Sequence, residues 1–295
     1  MHPILNNYNL RNLLTIGSTD SITYSIFKQL IEKRIESLTS LGYIALLNPN
    51  FNDILNNHLN TYTQLLNDNL TNTINSFIEN HANAVPKLAS AVSQTSSDCY
   101  PTGKNSFLND HLSDRILTHL IAQNHLSIKN SGNPLLSKLP TIESIINSST
   151  TFVNSLTEQT YADSINTSLT INESIKSPFI YPPTHLEYIL TEILKNAARA
   201  SLESKSSNPI KILLVRSNEN SLTIRITDNA NGIPSNILPH IWEYSFSTSL
   251  TKGSVAGMGY GLPLARTYAN LLGGDIQLHT IQNKGTSVYI HINQL

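Results

Sequence analysis

Between Ile22 and Asn166 the apolar residues recur every third or fourth position and never alternate, a spacing that predicts helices. The stretch "IFKQLIEKRIESLTSLGY" places Ile26, Leu30, Ile31, Ile35 and Leu38 on one side and meets a stop at Gly42. The stretch from Asn52 to Val92 keeps the same period with breaks near Asn67 and Pro86. In "SFLNDHLSDRILTHLIAQNHLSI" the apolar face is Leu108, Leu112, Ile116, Leu120 and Ile121. After the "NSGNPLLSKLP" break a further helix is expected from Thr141 to Glu158. Helices of this length on short polar links predict an antiparallel bundle. Its Asn-rich stretches keep their periodicity, which argues against disorder.

Past the Pro-rich "SPFIYPP" the pattern changes. "PIKILLVRS" and "SLTIRITD" alternate as strands and form a hairpin around Asn218–Asn220. "DIQLHTIQNKGTSVYIHI" is a second hairpin, turning at Asn283-Lys284-Gly285. Helices and strands are segregated by halves, so the expected class is α+β. The expected organisation is a start at 1–20, a helical bundle domain at 21–167, a linker at 168–180 and a second domain at 181–295.

Composition narrows the chemistry. The 295 residues carry a net charge of −1, with 39% apolar and 13% charged side chains. That length allows one large or two ordinary domains, each with a core. No basic run could neutralise a phosphate backbone, which argues against a nucleic-acid partner. No apolar stretch reaches the roughly 18–20 residues that span a bilayer. Cys99 is alone, so an internal disulfide and a cysteine zinc cluster are excluded. "SSDCYPTG" around it reads as a loop with nothing to activate a thiol. Residues 1–20 hold one Arg and no acid before Asp20, compatible with a short organellar presequence or a disordered start. His81, His111 and His125 share no ligand spacing and are read as surface or capping residues.

Three segments carry candidate chemistry. "PPTHLEYILTEILKNAARASLE" offers Thr184 as N-cap with Glu187 completing a capping box. Leu186, Ile189, Leu190, Ile193, Leu194 and Ala197 form its buried stripe. Glu192, Lys195, Asn196 and Arg199 share the other face. The plain reading of that face is a solvated Glu–Lys pair. Beside the Glu, however, an Asn one turn on offers a neutral oxygen for a divalent cation. "ITDNANGIPSN" ends a strand at Asp228, an acceptor suited to an exocyclic amine. "GMGYGLPLARTYANLLGGD" presents backbone N–H groups before a helix with Pro263 in its first turn, a start that binds oxyanions. A dinucleotide-binding βαβ unit is excluded, because these glycines follow a loop and no acidic residue comes after at the required place.

In this order, Glu-x-x-Lys-Asn, Asp-x-x-x-Gly, Gly-x-Gly-x-Gly-Leu and Gly285-Thr286 resemble the Bergerat-type (GHKL) ATP site of Hsp90-type chaperones, type II topoisomerases, MutL proteins and histidine kinases. "TEILKNAARAS", "WEYSFST" and the long run from Gly257 to Ile292 are most similar to the mitochondrial protein kinases of pyruvate dehydrogenase and branched-chain 2-oxoacid dehydrogenase. "HANAVPKLA" and "FLNDHLSDRILTHLIAQNH" are similar to the bundle motifs of the same family, so the resemblance covers about Phe27 to Ile292. There is no phosphoacceptor box of a bacterial-type sensor kinase.

The resemblance implies a helical bundle followed by an α/β sandwich that binds ATP and Mg²⁺ and phosphorylates a Ser of the dehydrogenase E1 subunit, inhibiting it, in the mitochondrial matrix. Glu192 is implied as general base and Asn196 as Mg²⁺ ligand. Lys195 and Arg199 are implied to support the phosphates, and Asp228 to read adenine near Gly232 and Thr286. Ser247, Thr248 and the run Gly257, Met258, Gly259, Tyr260, Gly261 and Leu262 are implied to close over the triphosphate. A homodimer is also implied. Trp242 is expected as a core anchor beside the nucleotide lid.

Several positions depart from the family pattern. Ala230 stands where the family's Asp-x-Gly-x-Gly has its first glycine, and costs about 1 kcal/mol if that position needs φ > 0. Tyr188 replaces a His one turn before Glu192, and His119 replaces a basic residue. The lid, Ser249 to Ala256, is short. The chain stops at Leu295 without the family's C-terminal extension, from which weak binding of E2 lipoyl domains is expected. Ala230, the lid and the missing extension favour an alternative reading, a nucleotide-binding regulator without kinase activity. An Hsp90- or MutL-like ATPase is disfavoured by the bundle motifs.

Overall fold

The computed structural model describes residues 10–15, 18–136, 141–171, 179–248 and 258–294. The chain forms two compact units, residues 1–137 and 138–295. The first unit is helical: α1 (Leu10–Thr15), α2 (Asp20–Thr39), α3 (Tyr43–Leu46), α4 (Pro49–Asn67), α5 (Leu70–Asn80), α6 (Ala84–Ser93) and α7 (Lys104–Ser131). Cys99 ends a 3-10 turn at Ser97–Cys99 and is buried.

The Asn-rich links are helix starts. Asn48 and Asn69 accept the amides of Asn50 and Thr71, capping α4 and α5. Thr19 caps α2 in the same way. Pro86 does not break a helix. It lies in the first turn of α6, where a missing N–H costs nothing, and the break falls at His81–Asn83. α2 packs against α4 and α7, and α5 against α4 and α7. Phe27, Ile31, Leu65, Ile74 and Phe77 meet between them, with Phe27 and Phe77 edge to face at 5.1 Å.

Beside that apolar cluster lies a polar one. His58 from α4, His81 after α5, and His111 and His119 from α7 converge on Arg34 of α2. His81 does cap α5, and its Nδ1 lies 3.0 Å from the Phe77 carbonyl, so Nδ1 carries the proton. Its Nε2 must then accept from His58 Nδ1 at 3.1 Å, in rings stacked at 4.5 Å. The surface placement expected for His81, His111 and His125 is therefore wrong: each is almost fully buried. His125 meets Thr71 at 2.9 Å instead. The Arg34 guanidinium is fully buried, and none of its three nitrogens has a hydrogen-bond partner. Burial lowers its pKa to about 9, so it stays charged at neutral pH. Lys33 donates to Asp114 at 2.9 Å beside it.

The second unit is a five-stranded sheet with helices on one face. β2 (Ile210–Asn218) and β3 (Ser221–Thr227) form the first expected hairpin, and β4 (Asp275–Ile281) and β5 (Gly285–Asn293) the second. The order is β1-β2-β3-β5-β4. β1 (Thr167–Ile171), in the segment read as a linker, pairs parallel to β2. Five half-exposed residues at a sheet edge carry too weak an alternation to be recognised. Even-numbered positions face inward: Ile212, Leu214, Ile224, Ile226, Val288, Ile290 and Ile276 are buried. The register sets Leu214 beside Ile224, Ile224 beside Ile290, and Ile290 beside Ile276, a row of branched side chains across four strands.

α9 (Pro183–Glu203) and α10 (Gly261–Leu271) pack on this row. α8 (Ile142–Tyr161) begins at Thr141, which accepts the Ser144 amide. The sequence places α8 with the bundle; in the structure it packs along α9 and belongs to the second compact unit. No helix among the described residues is long and apolar enough to cross a membrane.

The buried histidines give the protein an acid-labile interior. Desolvation is the main cause of every shift; it lowers His81 to about 3 and His119 to about 2, and pushes His58 and His111 well below their ordinary value. Neutral in the folded state, they protonate near pH 6.5 once unfolded, so stability is fully present above pH 6.5 and is lost as pH falls toward the folded values. Each contributes a slope of roughly 1.4 kcal/mol per pH unit. The urea midpoint should be flat from pH 7 to 8 and drop steeply between 6.5 and 5. His119→Leu should remove about one histidine's share of that slope; an unchanged slope would contradict the neutral assignment.

Candidate functional site

α9 is the helix with two uses. Leu186, Ile189, Leu190, Ile193, Leu194 and Ala197 are all buried, as the stripe requires. The expected capping box is not formed. The helix starts at Pro183 with Pro182 as N-cap, and no side chain caps it, so Thr184 lies within the first turn and Glu187 beyond it. The fixed φ of a proline suits a first helical turn and makes the cap unnecessary. On the other face Glu192 and Lys195 are each only 16% exposed, and Lys195 Nζ donates to Glu192 Oε1 at 2.7 Å. Arg199 turns away from them toward Glu203, at 3.9 Å. One turn before Glu192, Tyr188 packs its ring on Tyr268 at 4.6 Å.

Asp228 follows β3 and is buried. Thr227 pairs with Ser287, which brings Asp228 to the start of β5. Its Oδ1 accepts the amides of Ala230 at 3.0 Å and Thr286 at 3.2 Å. Desolvation raises its pKa, and these two amides pull it partly back. Ala230 does not sit at positive φ, so the strain that an alanine would suffer there does not arise. Thr280, which the sequence did not single out, ties the turn together: its Oγ1 accepts from Ile233 N at 2.8 Å and lies 3.1 Å from Thr286 Oγ1.

α10 begins at Gly261 with Pro263 in its first turn. A Cβ at Gly261 would overlap the Glu192 carboxylate. The glycine is there so that the start of α10 can approach the acidic side chain of α9. Gly285 differs: its φ is +117°, and a Cβ there would run into the Asp228 backbone carbonyl.

These elements enclose a cleft of about 280 Å³. Glu192, Lys195, Asn196, Arg199, Asp228, Gly232, Ser247, Thr248, Gly259, Gly261, Leu262 and Thr286 of the expected set all line it. Tyr260 does not; it is buried against Tyr244 at 5.3 Å. Met258 is exposed and outside the cleft. Gly257 and the lid lie outside the described residues. The apolar walls, Ile226, Ile233, Ile237, Ile241, Phe246 and Val288, were not read from sequence as site residues because nothing distinguishes them from core. Trp242, expected as a core anchor, is half-buried and carries the Arg266 guanidinium 4.6 Å above its ring, while Arg266 donates to Asp275 at 3.0 Å. The result is an apolar slot with one buried carboxylate at its end and a second carboxylate, an amide and two cations along one wall. Among the described residues no group of three His, Cys, Asp or Glu side chains that could hold a metal ion occurs.

Two family models match the chain, one in each half. Residues 9–166 match the family described as mitochondrial branched-chain alpha-ketoacid dehydrogenase kinase, and residues 182–295 match histidine kinase-, DNA gyrase B-, and HSP90-like ATPase. The mitochondrial pyruvate dehydrogenase (acetyl-transferring) kinase 1 of Saccharomyces cerevisiae is 28% identical over 92% of the chain and 77% of its own length. The human mitochondrial pyruvate dehydrogenase kinase isozyme 4 is 30% identical over 73% of the chain and 59% of its own length. The kinase of Schizosaccharomyces pombe is 38% identical over 39% of the chain. The chain thus spans less than two thirds of the human relative.

The two glycines should respond differently to alanine. Gly285→Ala meets rigid backbone at a φ closed to side chains and should cost about 2–4 kcal/mol, a fall of roughly 5–10 °C in Tm. Gly261→Ala meets the end of a flexible side chain and should cost under about 1 kcal/mol while displacing the Glu192 carboxylate. Thermal melting of both variants checks this; equal losses would refute it.

Proposed function

The chain belongs to the mitochondrial branched-chain alpha-ketoacid dehydrogenase kinase family, and from that premise we propose that it is an ATP- and Mg²⁺-dependent protein serine kinase acting on the E1 subunit of a mitochondrial 2-oxoacid dehydrogenase, in the matrix. The relatives that match across most of the chain are named for pyruvate dehydrogenase, and this favours its E1 as the substrate over the branched-chain enzyme. The observation that carries the reading is that one cleft holds Asp228 at its apolar end and Glu192 at the start of α10.

The residues fit an adenine nucleotide. Asp228 Oδ2 accepts from the exocyclic amine while Oδ1 keeps its two amides. Ile226, Ile233 and Val288 exclude water from the base, and the α10 N-terminus offers unsatisfied N–H groups to the phosphates. Asn196 would hold Mg²⁺ together with phosphate oxygens. ATP supplies the phosphoryl group, and Mg²⁺ offsets the charge on its oxygens. Glu192 accepts the proton of the serine hydroxyl and orients it; Lys195 and Arg199 stabilise charge nearby. Transfer of this kind is mostly positioning and electrostatics. The alternative of a regulator that binds nucleotide without catalysis drew on Ala230, the short lid and the missing extension, and the unstrained Ala230 backbone removes the first of these. A homodimer is part of the proposal, with weak affinity for E2 lipoyl domains.

Binding and chemistry separate by mutation. Glu192→Gln should keep affinity for a non-hydrolysable ATP analogue within a few-fold and lower phosphate transfer by about 10²-fold or more. Asp228→Ala should lose roughly 1.5–3 kcal/mol of affinity, about tenfold to a hundredfold. Calorimetry and transfer assays on pyruvate dehydrogenase E1 and branched-chain E1 provide both readings. Wild-type transfer by Glu192→Gln sinks the assignment of the base.

A further inference from the structure

We propose that Lys195 is a positioning residue that keeps the Glu192 carboxylate paired until phosphate oxygens draw it away, so that the base is released only when the phosphoryl donor is bound. The inference rests on the reading of the cleft as an ATP site. Lys195 Nζ sits 2.7 Å from Glu192 Oε1, and both side chains are largely shielded from water. An ammonium at that distance occupies Oε1 in a charge-assisted hydrogen bond and lowers the basicity of the carboxylate, so it takes a proton from a neutral hydroxyl less readily.

The two partners are not equally free to move. Glu192 lies against Gly261 on one side, so α10 closes off its movement in that direction. Lys195 hangs on a flexible four-carbon stem, and its ammonium can rotate its three donors toward a new acceptor. The start of α10, which approaches Glu192 at Gly261, is also where helix geometry favours an oxyanion. A triphosphate there carries more charge than one carboxylate and competes for the same ammonium. Arg199 does not replace Lys195 on Glu192, because its guanidinium leans toward Glu203. Phosphate binding therefore exchanges one ion pair for another and leaves Glu192 facing the acceptor hydroxyl. No covalent step is involved.

A zero-length carbodiimide cross-link reads the pair directly in the intact protein. Activation of the Glu192 carboxyl beside the Lys195 amine forms an amide with loss of one water, and the acylated lysine no longer permits tryptic cleavage after Lys195. Mass spectrometry of the digest should find this linked peptide in the free protein and with adenosine. With a saturating Mg²⁺ complex of a non-hydrolysable ATP analogue its yield should fall about tenfold, the equivalent of a 1.4 kcal/mol change in pairing. Lys195→Gln should abolish the link and weaken the analogue but not adenosine. A link that persists with the analogue bound, as calorimetry verifies, overturns the coupling and leaves the ATP site standing. Absence of the link in the free protein also overturns it. If calorimetry finds no binding of the analogue to the wild type, the ATP reading fails and takes the coupling with it.

Discussion

Asp228 reaches the cleft because β3 and β5 pair in one register and no other. Thr227 faces Ser287, so the next residue meets the amide of Thr286, and its carboxylate is oriented by backbone on two sides. A slip by one residue would turn Leu222, Ile224 and Ile226 out of the core together. The apolar burial that holds the sheet and the geometry that aims the acceptor are thus one constraint. Gly285 belongs to it as well, since any side chain there would push the hairpin turn off the Asp228 carbonyl.

α9 extends the same economy to the other side of the cleft. Its stripe from Leu186 to Ala197 is locked on the sheet, and the helical period then leaves Glu192, Lys195, Asn196 and Arg199 no orientation except toward the cleft. The start of α10 closes on this wall at Gly261, where a Cβ would displace the Glu192 carboxylate. The acidic side chain and the helix start are therefore brought together by packing, which is what a site working by positioning requires.

The helical unit shows a different balance. Its apolar contacts are built around Phe27, Phe77 and Ile31, yet a charged Arg34 and neutral histidines lie beside them. An unpartnered buried guanidinium costs free energy that tightly packed apolar side chains would not. The surrounding aromatic and imidazole rings stack within about 4.5 to 6 Å of one another, so the cluster is packed even where it is not hydrogen-bonded.

Much of the second unit was legible along the chain because its signals are local. Two alternating hairpins, one amphipathic helix and a glycine run before a proline each show within a dozen residues, and the side chains they carry line one cleft. Helices α2, α4, α5, α7 and α8 were legible for the same reason, through their period. What escaped depends on partners far away in sequence. β1 is a strand only because β2 lies beside it. His58, His81 and His111 come from α4, the end of α5 and α7, and only the packing of these helices brings their rings together. Likewise Phe246 and Ile241 become walls of a cleft, and Thr280 a tie across it, through contacts no spacing encodes. By itself the sequence determined the periods, the turns and the chemical inventory, since these follow from neighbouring residues; the tertiary structure alone decided which of those groups lose water, gain partners and face one another, because desolvation and distance are properties of the packed chain.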